Sequence, residues 1–95
     1  SRIFTTTELA YAKDNATTLA GNFAVKEAVS KVFGTGFFGV EPYEIEVLRN
    51  ESGAPYVKLY GKAKEIAKDK QVSRIHVSIT NTREFAQAFA IGECV

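Results

Sequence analysis

At 95 residues the chain has room for one domain, and a core of that size leans on oligomerisation or another buried contact for its stability. The 12 Lys and Arg against 11 Asp and Glu leave a net charge of +1, so no broad basic field supports nucleic-acid binding. The single cysteine, Cys94, excludes an internal disulfide and a cysteine metal cluster, and no apolar run approaches the ~20 residues of a membrane span.

Ser1-Arg2-Ile3-Phe4 begins no signal peptide, which gives the reading of a cytoplasmic domain without a membrane contact. The first predicted element is a short helix. Thr5 can cap it, Glu8 three residues on completes a capping box, Phe4 can staple onto Leu9, and the helix is expected to end near Lys13. Asp14-Asn15-Ala16-Thr17 reads as a turn, with Thr17 or Thr18 available to cap a second helix.

The central helix is expected from Leu19 to Gly36. At ~100° per residue, Ala20, Ala24, Ala28 and Val32 form a stripe widened by Gly21, Val25 and Val29, while Asn22, Lys26 and Ser30 fall on the opposite side. Glu27 and Lys31, one turn apart, follow Phe23 along the edge of the small-residue stripe and so point toward whatever the helix packs against. They fit a Glu-to-Lys pair on a helix flank that contributes a few tenths of a kcal/mol. They equally fit a carboxylate and an ammonium that leave room for a cation and a phosphate, Glu27 ligating Mg²⁺ and Lys31 neutralising phosphate charge. Phe33-Gly34-Thr35-Gly36 then supplies a glycine C-cap and a permissive backbone that a ligand can approach.

In the loop after this helix, the adjacent aromatics Phe37 and Phe38 either plug the core or form the lip of a groove. From Tyr43 the period changes to two. Ile45 and Val47 alternate with Glu44 and Glu46, Asn50-Glu51-Ser52-Gly53 turns the chain, and Val57 and Leu59 alternate with Tyr56, Lys58 and Tyr60, which makes a β-hairpin with one apolar face. Gly61 to Lys70 reads as a helix with Ala63, Ile66 and Ala67 inward and a solvated lysine face.

A last hairpin runs from Arg74 to Ile91, turning at Thr80-Asn81-Thr82-Arg83. Its second strand has Phe85, Phe89 and Ile91 on one face and Ala86, Ala88 and Ala90 on the other. Two apolar faces in so small a protein suggest that one meets another subunit. His76 lies with Ser78 on the less apolar side of the first strand, where a structural histidine or a pH-sensitive ligand or base would both fit. The fold class is therefore α+β, helices packed on antiparallel sheet built from two hairpins, in a single domain spanning residues 1–95.

The stretch FAVKEAVSKVFGTG, residues 23–36, resembles the F-A-x-K-E-A-x-x-K-x-x-G-T-G signature of holo-(acyl-carrier-protein) synthases, the small 4'-phosphopantetheinyl transferases. RIFTTTE resembles the family's R-I-F/L-T-x-x-E, EIEVLRNESGAPYVKLYGKA its hairpin, and RIHVSITNTREFAQAFAI its C-terminal strands, so the likeness extends from Arg2 to Glu93. It implies that Glu27 is the metal carboxylate for Mg²⁺ and Lys31 the basic residue beside the pyrophosphate. Gly34, Gly36, His76, Asn81 and Thr82 join Lys31 as coenzyme A contacts, with the Asn81-Thr82 turn at the 3'-phosphate end. It further implies a homotrimer with the site between subunits, acyl carrier protein as partner, and a place in fatty acid biosynthesis.

Two positions depart from the family pattern. Asn22 stands where Arg is usual and Asn81 where His is frequent, which removes two potential partners of the 3'-phosphate that Lys26 or Arg83 would have to replace. Family members also begin with a β-strand carrying a G-x-D motif, whose Asp is a second metal ligand. That strand is absent from this chain, as if an N-terminal segment were missing. The rival expectation is a non-catalytic trimeric module that holds a nucleotide or a carrier protein.

Overall fold

The computed structural model describes residues 2–82 and 84–94. The capping box forms as its spacing predicts: the Thr5 hydroxyl accepts from the Glu8 amide and the Glu8 carboxylate accepts from the Thr5 amide, both at 3.1 Å. These bonds start α1 (Thr6–Ala12), and Lys13 closes it in a left-handed conformation, φ 49°. The next helix, α2 (Ala16–Val32), begins earlier than expected because Asn15, not Thr17 or Thr18, is its cap and accepts the Thr18 amide at 3.1 Å. It ends at Phe33, and Gly34 follows with φ 77°, a conformation that glycine adopts without steric cost.

A 3₁₀ turn (Pro42–Glu44) leads into the hairpin β1 (Ile45–Arg49) and β2 (Pro55–Leu59), paired antiparallel with Val47 opposite Val57. Its turn is organised by Asn50, whose side-chain oxygen accepts from the Ser52 amide and hydroxyl and the Ala54 amide. Then come α3 (Gly61–Asp69) and a second hairpin, β3 (Val72–Asn81) and β4 (Ala86–Cys94), with Ile79 opposite Ala88 and a register irregularity between Val72 and Arg74. The α+β class and both hairpins stand as read, and each hairpin forms its own two-stranded sheet. Val25, Val29, Phe33, Val40, Ile45, Val47, Ala63 and Ala67 make the buried core.

Two expectations about helix and strand faces are overturned. Asn22, Lys26 and Ser30 are not on the solvent side of α2: all three are buried, together with Val25 and Val29. In β1, Glu46 is buried as well, because α1 covers the face that alternation assigned to water. Asn22, Lys26 and Glu46 find hydrogen-bonding partners on other elements, and Ser30 bonds the Glu27 carbonyl of its own helix, which offsets the cost of burying each polar group. Neither of the adjacent aromatics plugs the core: Phe37 is half-buried against Phe23 with ring centroids 5.7 Å apart, and Phe38 is 92% exposed.

The final strand resolves its own ambiguity. Ala86, Ala88, Ala90 and Gly92 turn inward, half-buried, while Phe85, Phe89 and Ile91 remain exposed on the outside. Small residues on β4 let α2 lie close against it. At Gly92 an added Cβ would sit 2.7 Å from Val32 Cγ1 and 3.2 Å from Val72 Cγ1. Gly92→Ala is therefore expected to destabilise the fold by ~1–3 kcal/mol, the usual range for overpacking. Urea unfolding monitored by circular dichroism measures this, and an unchanged midpoint would show that the seam can spread freely.

Candidate active site

The flank of α2 and the inner face of β4 do not close completely on each other. Between them lies an open groove of about 600 Å³ lined by Ala24, Glu27, Ala28, Lys31 and Val32 from the helix and by Ala86 to Ala90 from the strand. The alanines leave the volume, and the two charged side chains border it. Both Glu27 and Lys31 are exposed, so their role in this fold is not to hold the core together.

A smaller recess of about 160 Å³ adjoins it at Ala86, lined also by Ala16, Thr17, Ala20, Asn81, Thr82, Glu84 and Phe85. Asn81 and Thr82 thus stand farther along the same seam, near the start of α2. The turn is held by Thr82 and Phe85. The Thr82 amide donates to the Phe85 carbonyl at 2.8 Å, and the Thr82 hydroxyl both donates to that carbonyl and accepts the Phe85 amide. Arg83 lies outside the described residues.

The other sequence-predicted residues sit apart from the groove. Gly34 and Gly36 follow α2 with φ of 77° and 56°, and the Thr35 and Gly36 amides both donate to the Ser30 carbonyl at 3.2 Å. His76 projects from the outer face of β3 and pairs with Glu93, whose carboxyl that contact holds below its ordinary range. Lys26 cannot replace a missing phosphate partner, because it is wholly buried and already satisfied.

What the sequence reading missed is the polar network beneath the groove. The Lys26 ammonium donates to Glu8 Oε1 at 2.7 Å, to the Ile45 carbonyl at 2.6 Å and to the Pro42 carbonyl at 3.0 Å, with the Phe4 ring 5.5 Å away. These three acceptors use all its donors. Asn22 Nδ2 donates to the other Glu8 oxygen at 3.2 Å. Beside this cluster Glu46 accepts from the Thr5 hydroxyl at 2.6 Å and from the Tyr60 hydroxyl at 2.9 Å. Burial pushes Lys26 below the ordinary lysine range, while the Glu8 hydrogen bond and charge pull it back. The available signal was the T-x-x-E spacing, which marks Glu8 as a cap without saying that its second oxygen would turn inward.

Among the described residues no three His, Cys, Asp or Glu side chains gather into a metal-holding cluster. Glu27 is the carboxylate among the groove's lining side chains. It would hold a divalent cation in the groove, as a hard ligand of the kind Mg²⁺ takes.

The profile of the 4'-phosphopantetheinyl transferase superfamily matches residues 1–92. A holo-[acyl-carrier-protein] synthase from Lachnoclostridium phytofermentans is 53% identical over 95 residues, covering 100% of this chain and 78% of that protein. A second, from Halothermothrix orenii, is 42% identical over 96 residues, 98% of this chain and 77% of that protein. The crystal structure of Helicobacter pylori holo-[acyl-carrier-protein] synthase in complex with coenzyme A matches with a TM-score of 0.87 at 27% identity, over 97% of this chain and 78% of that one. Mycobacterium tuberculosis acyl carrier protein synthase matches with a TM-score of 0.77 at 37% identity, over 97% of this chain and 81% of that one. The chain belongs to the 4'-phosphopantetheinyl transferase superfamily. Within it the chain is an enzyme of the holo-[acyl-carrier-protein] synthase kind, a phosphopantetheinyl transferase.

Proposed function

We propose that the chain transfers the 4'-phosphopantetheine group of coenzyme A to a serine of acyl carrier protein, with release of 3',5'-ADP, in support of fatty acid biosynthesis. The observation that carries this reading is the joint placement of Glu27 and Lys31 on one open groove between α2 and β4. Ala86, Ala88 and Ala90 on the β4 side leave room there for an extended substrate. The serine oxygen attacks the β-phosphorus of coenzyme A and its hydroxyl proton passes to solvent water, the bond from that phosphorus to the bridging oxygen breaks, and the 3',5'-ADP portion leaves with the electron pair. Lys31 offers its ammonium to the phosphate oxygens where charge develops, and Glu27 holds the divalent cation site. A bound Mg²⁺ supplies charge neutralisation and polarises the phosphoryl oxygens. Asn81 and Thr82 provide neutral hydrogen-bonding groups toward the 3'-phosphate end.

The working form in this reading is a homotrimer with its sites between subunits. The exposed Phe85, Phe89 and Ile91 side chains, 58%, 71% and 64% accessible in the single chain, are the surface that would be covered. His76, Gly34 and Gly36 would then reach coenzyme A across such an interface. Phe89→Glu is expected to break the assembly, because a carboxylate buried without a partner costs several kcal/mol. Sedimentation velocity measures it, and a wild-type protein that is monomeric at micromolar concentration would contradict the trimer.

The transfer itself is tested by mass spectrometry of an apo acyl carrier protein incubated with the enzyme, coenzyme A and Mg²⁺. The expected result is the gain of one phosphopantetheine group on a serine. Absence of that gain with several different carrier proteins would overturn the assignment.

A further inference from the structure

Lys26 is adjacent in sequence to Glu27, yet it points the other way and touches nothing in the groove. Its neighbours belong to different parts of the fold: Glu8 to α1, and Pro42 and Ile45 to either end of the 3₁₀ turn before β1. The rest of the buried side of α2, Val25, Val29 and Phe33, is apolar and non-directional, and by itself resists rolling about the helix axis only weakly. Hydrogen bonds have direction. With side chains reaching ~5–6 Å from the axis, a roll of ~20° would carry the Glu27 carboxylate by ~2 Å. A misplacement of ~1 Å at a reacting centre can lower a rate by ~100-fold.

We propose that Lys26 is a positioning residue for phosphopantetheine transfer: the bonds from its buried ammonium to Glu8, Pro42 and Ile45 fix the roll of α2, and so the direction in which Glu27 and Lys31 face β4. Asn22, one turn earlier on the same side of the helix, shares the task by holding the second Glu8 oxygen. This inference rests on the transferase reading of Glu27 and Lys31. It adds a role for an ion pair that makes no contact with substrate.

Lys26→Met alone would leave Glu8 charged and buried, and loss of activity could then reflect unfolding. The informative variant is Glu8→Gln/Lys26→Met, which removes both charges and keeps an acceptor for the Thr5 amide. If this variant does not fold, Lys26→Arg, which keeps the charge but not the reach, carries the same comparison. Two measurements are made on folded enzyme. One is steady-state transfer to acyl carrier protein, resolved into kcat, KM for coenzyme A and the Mg²⁺ concentration for half-maximal rate. The other is amide hydrogen exchange across residues 24–33, compared with the β1–β2 hairpin.

The expected result is a kcat lowered by at least ~10-fold, a higher Mg²⁺ requirement and a nearly unchanged KM. Exchange in residues 24–33 should quicken by ~10-fold while the hairpin stays as in wild type. A folded variant with wild-type kcat and Mg²⁺ requirement would overturn the proposal and leave the pair a purely structural feature. If the wild-type enzyme transfers nothing, the functional reading fails instead, and unchanged exchange along α2 would still sink the positioning role on its own.

Discussion

Glu27→Gln is expected to lower carrier-protein modification by at least ~100-fold, the scale set by removing one preorganised electrostatic contact at a reacting phosphoryl group. The amide keeps the size and shape of the side chain but is a poorer ligand for a hard cation. Lys31→Met should act on the same scale, since it keeps much of the apolar stem and deletes the charge. Both residues are exposed on the rim of the groove, and neither has an ion-pair partner among the described residues. Folding stability should therefore change by less than ~1 kcal/mol in either variant. Mass spectrometry of the carrier protein and urea unfolding of the enzyme read the two effects separately. Modification that falls only in step with the folded fraction would assign the pair to the structure rather than to the chemistry.

Lys26→Met is expected to act on stability as well as on transfer. Lys26 and Glu8 are completely buried, and their contact at 2.7 Å is supported by two backbone carbonyls and Asn22. Removing one member leaves an uncompensated carboxylate in the interior, an effect of ~3–5 kcal/mol. Against a total stability of ~5–15 kcal/mol for a domain, that is a large share. The direction of the Lys26 shift carries a further consequence. Because burial outweighs the pull of Glu8, the folded chain binds the Lys26 proton less tightly than the unfolded chain does. Well below the folded value both states hold that proton and the burial penalty is fully present. As pH rises from the lowered folded value toward the ordinary lysine value, the unfolded state binds more protons, and this group's contribution shifts in favour of folding. Urea midpoints of wild type and variant between neutral and alkaline pH measure both statements. A Lys26→Met midpoint equal to that of wild type at pH 7 would refute the first.

Much of this fold could be read directly because its signals are local. The T-x-x-E spacing announces a capping box, alternation announces both hairpins, and the lysines of α3 do lie on its solvent side while Ala63 and Ala67 turn inward. The position of Glu27 and Lys31 on the flank of α2 was legible from helical phase, although their chemistry came from resemblance to a family rather than from spacing. The errors share one cause. Helical phase sorted Asn22 and Lys26 by polarity, but a polar side chain can be buried when a partner waits for it, and the partner of Lys26 lies 18 residues away on another helix. Glu46 was likewise assigned to water, yet its Thr5 partner is 41 residues distant. The groove could not be foreseen at all, because it is bounded by two elements whose approach is set by residues as small as Gly92.

The alanine seam between α2 and β4 also orders events during synthesis. One wall of the groove is made early in the chain and the other by the last of the described strands, so the loop between them must close over some sixty residues before the walls meet. A ribosome-bound chain that has released α1, α2 and the first hairpin presents Glu27 and Lys31 on a bare helix flank, with no cleft beside them. The groove thus appears only when β3 and β4 dock. A nascent chain of this enzyme should pass from lacking this groove to having it in a single late step.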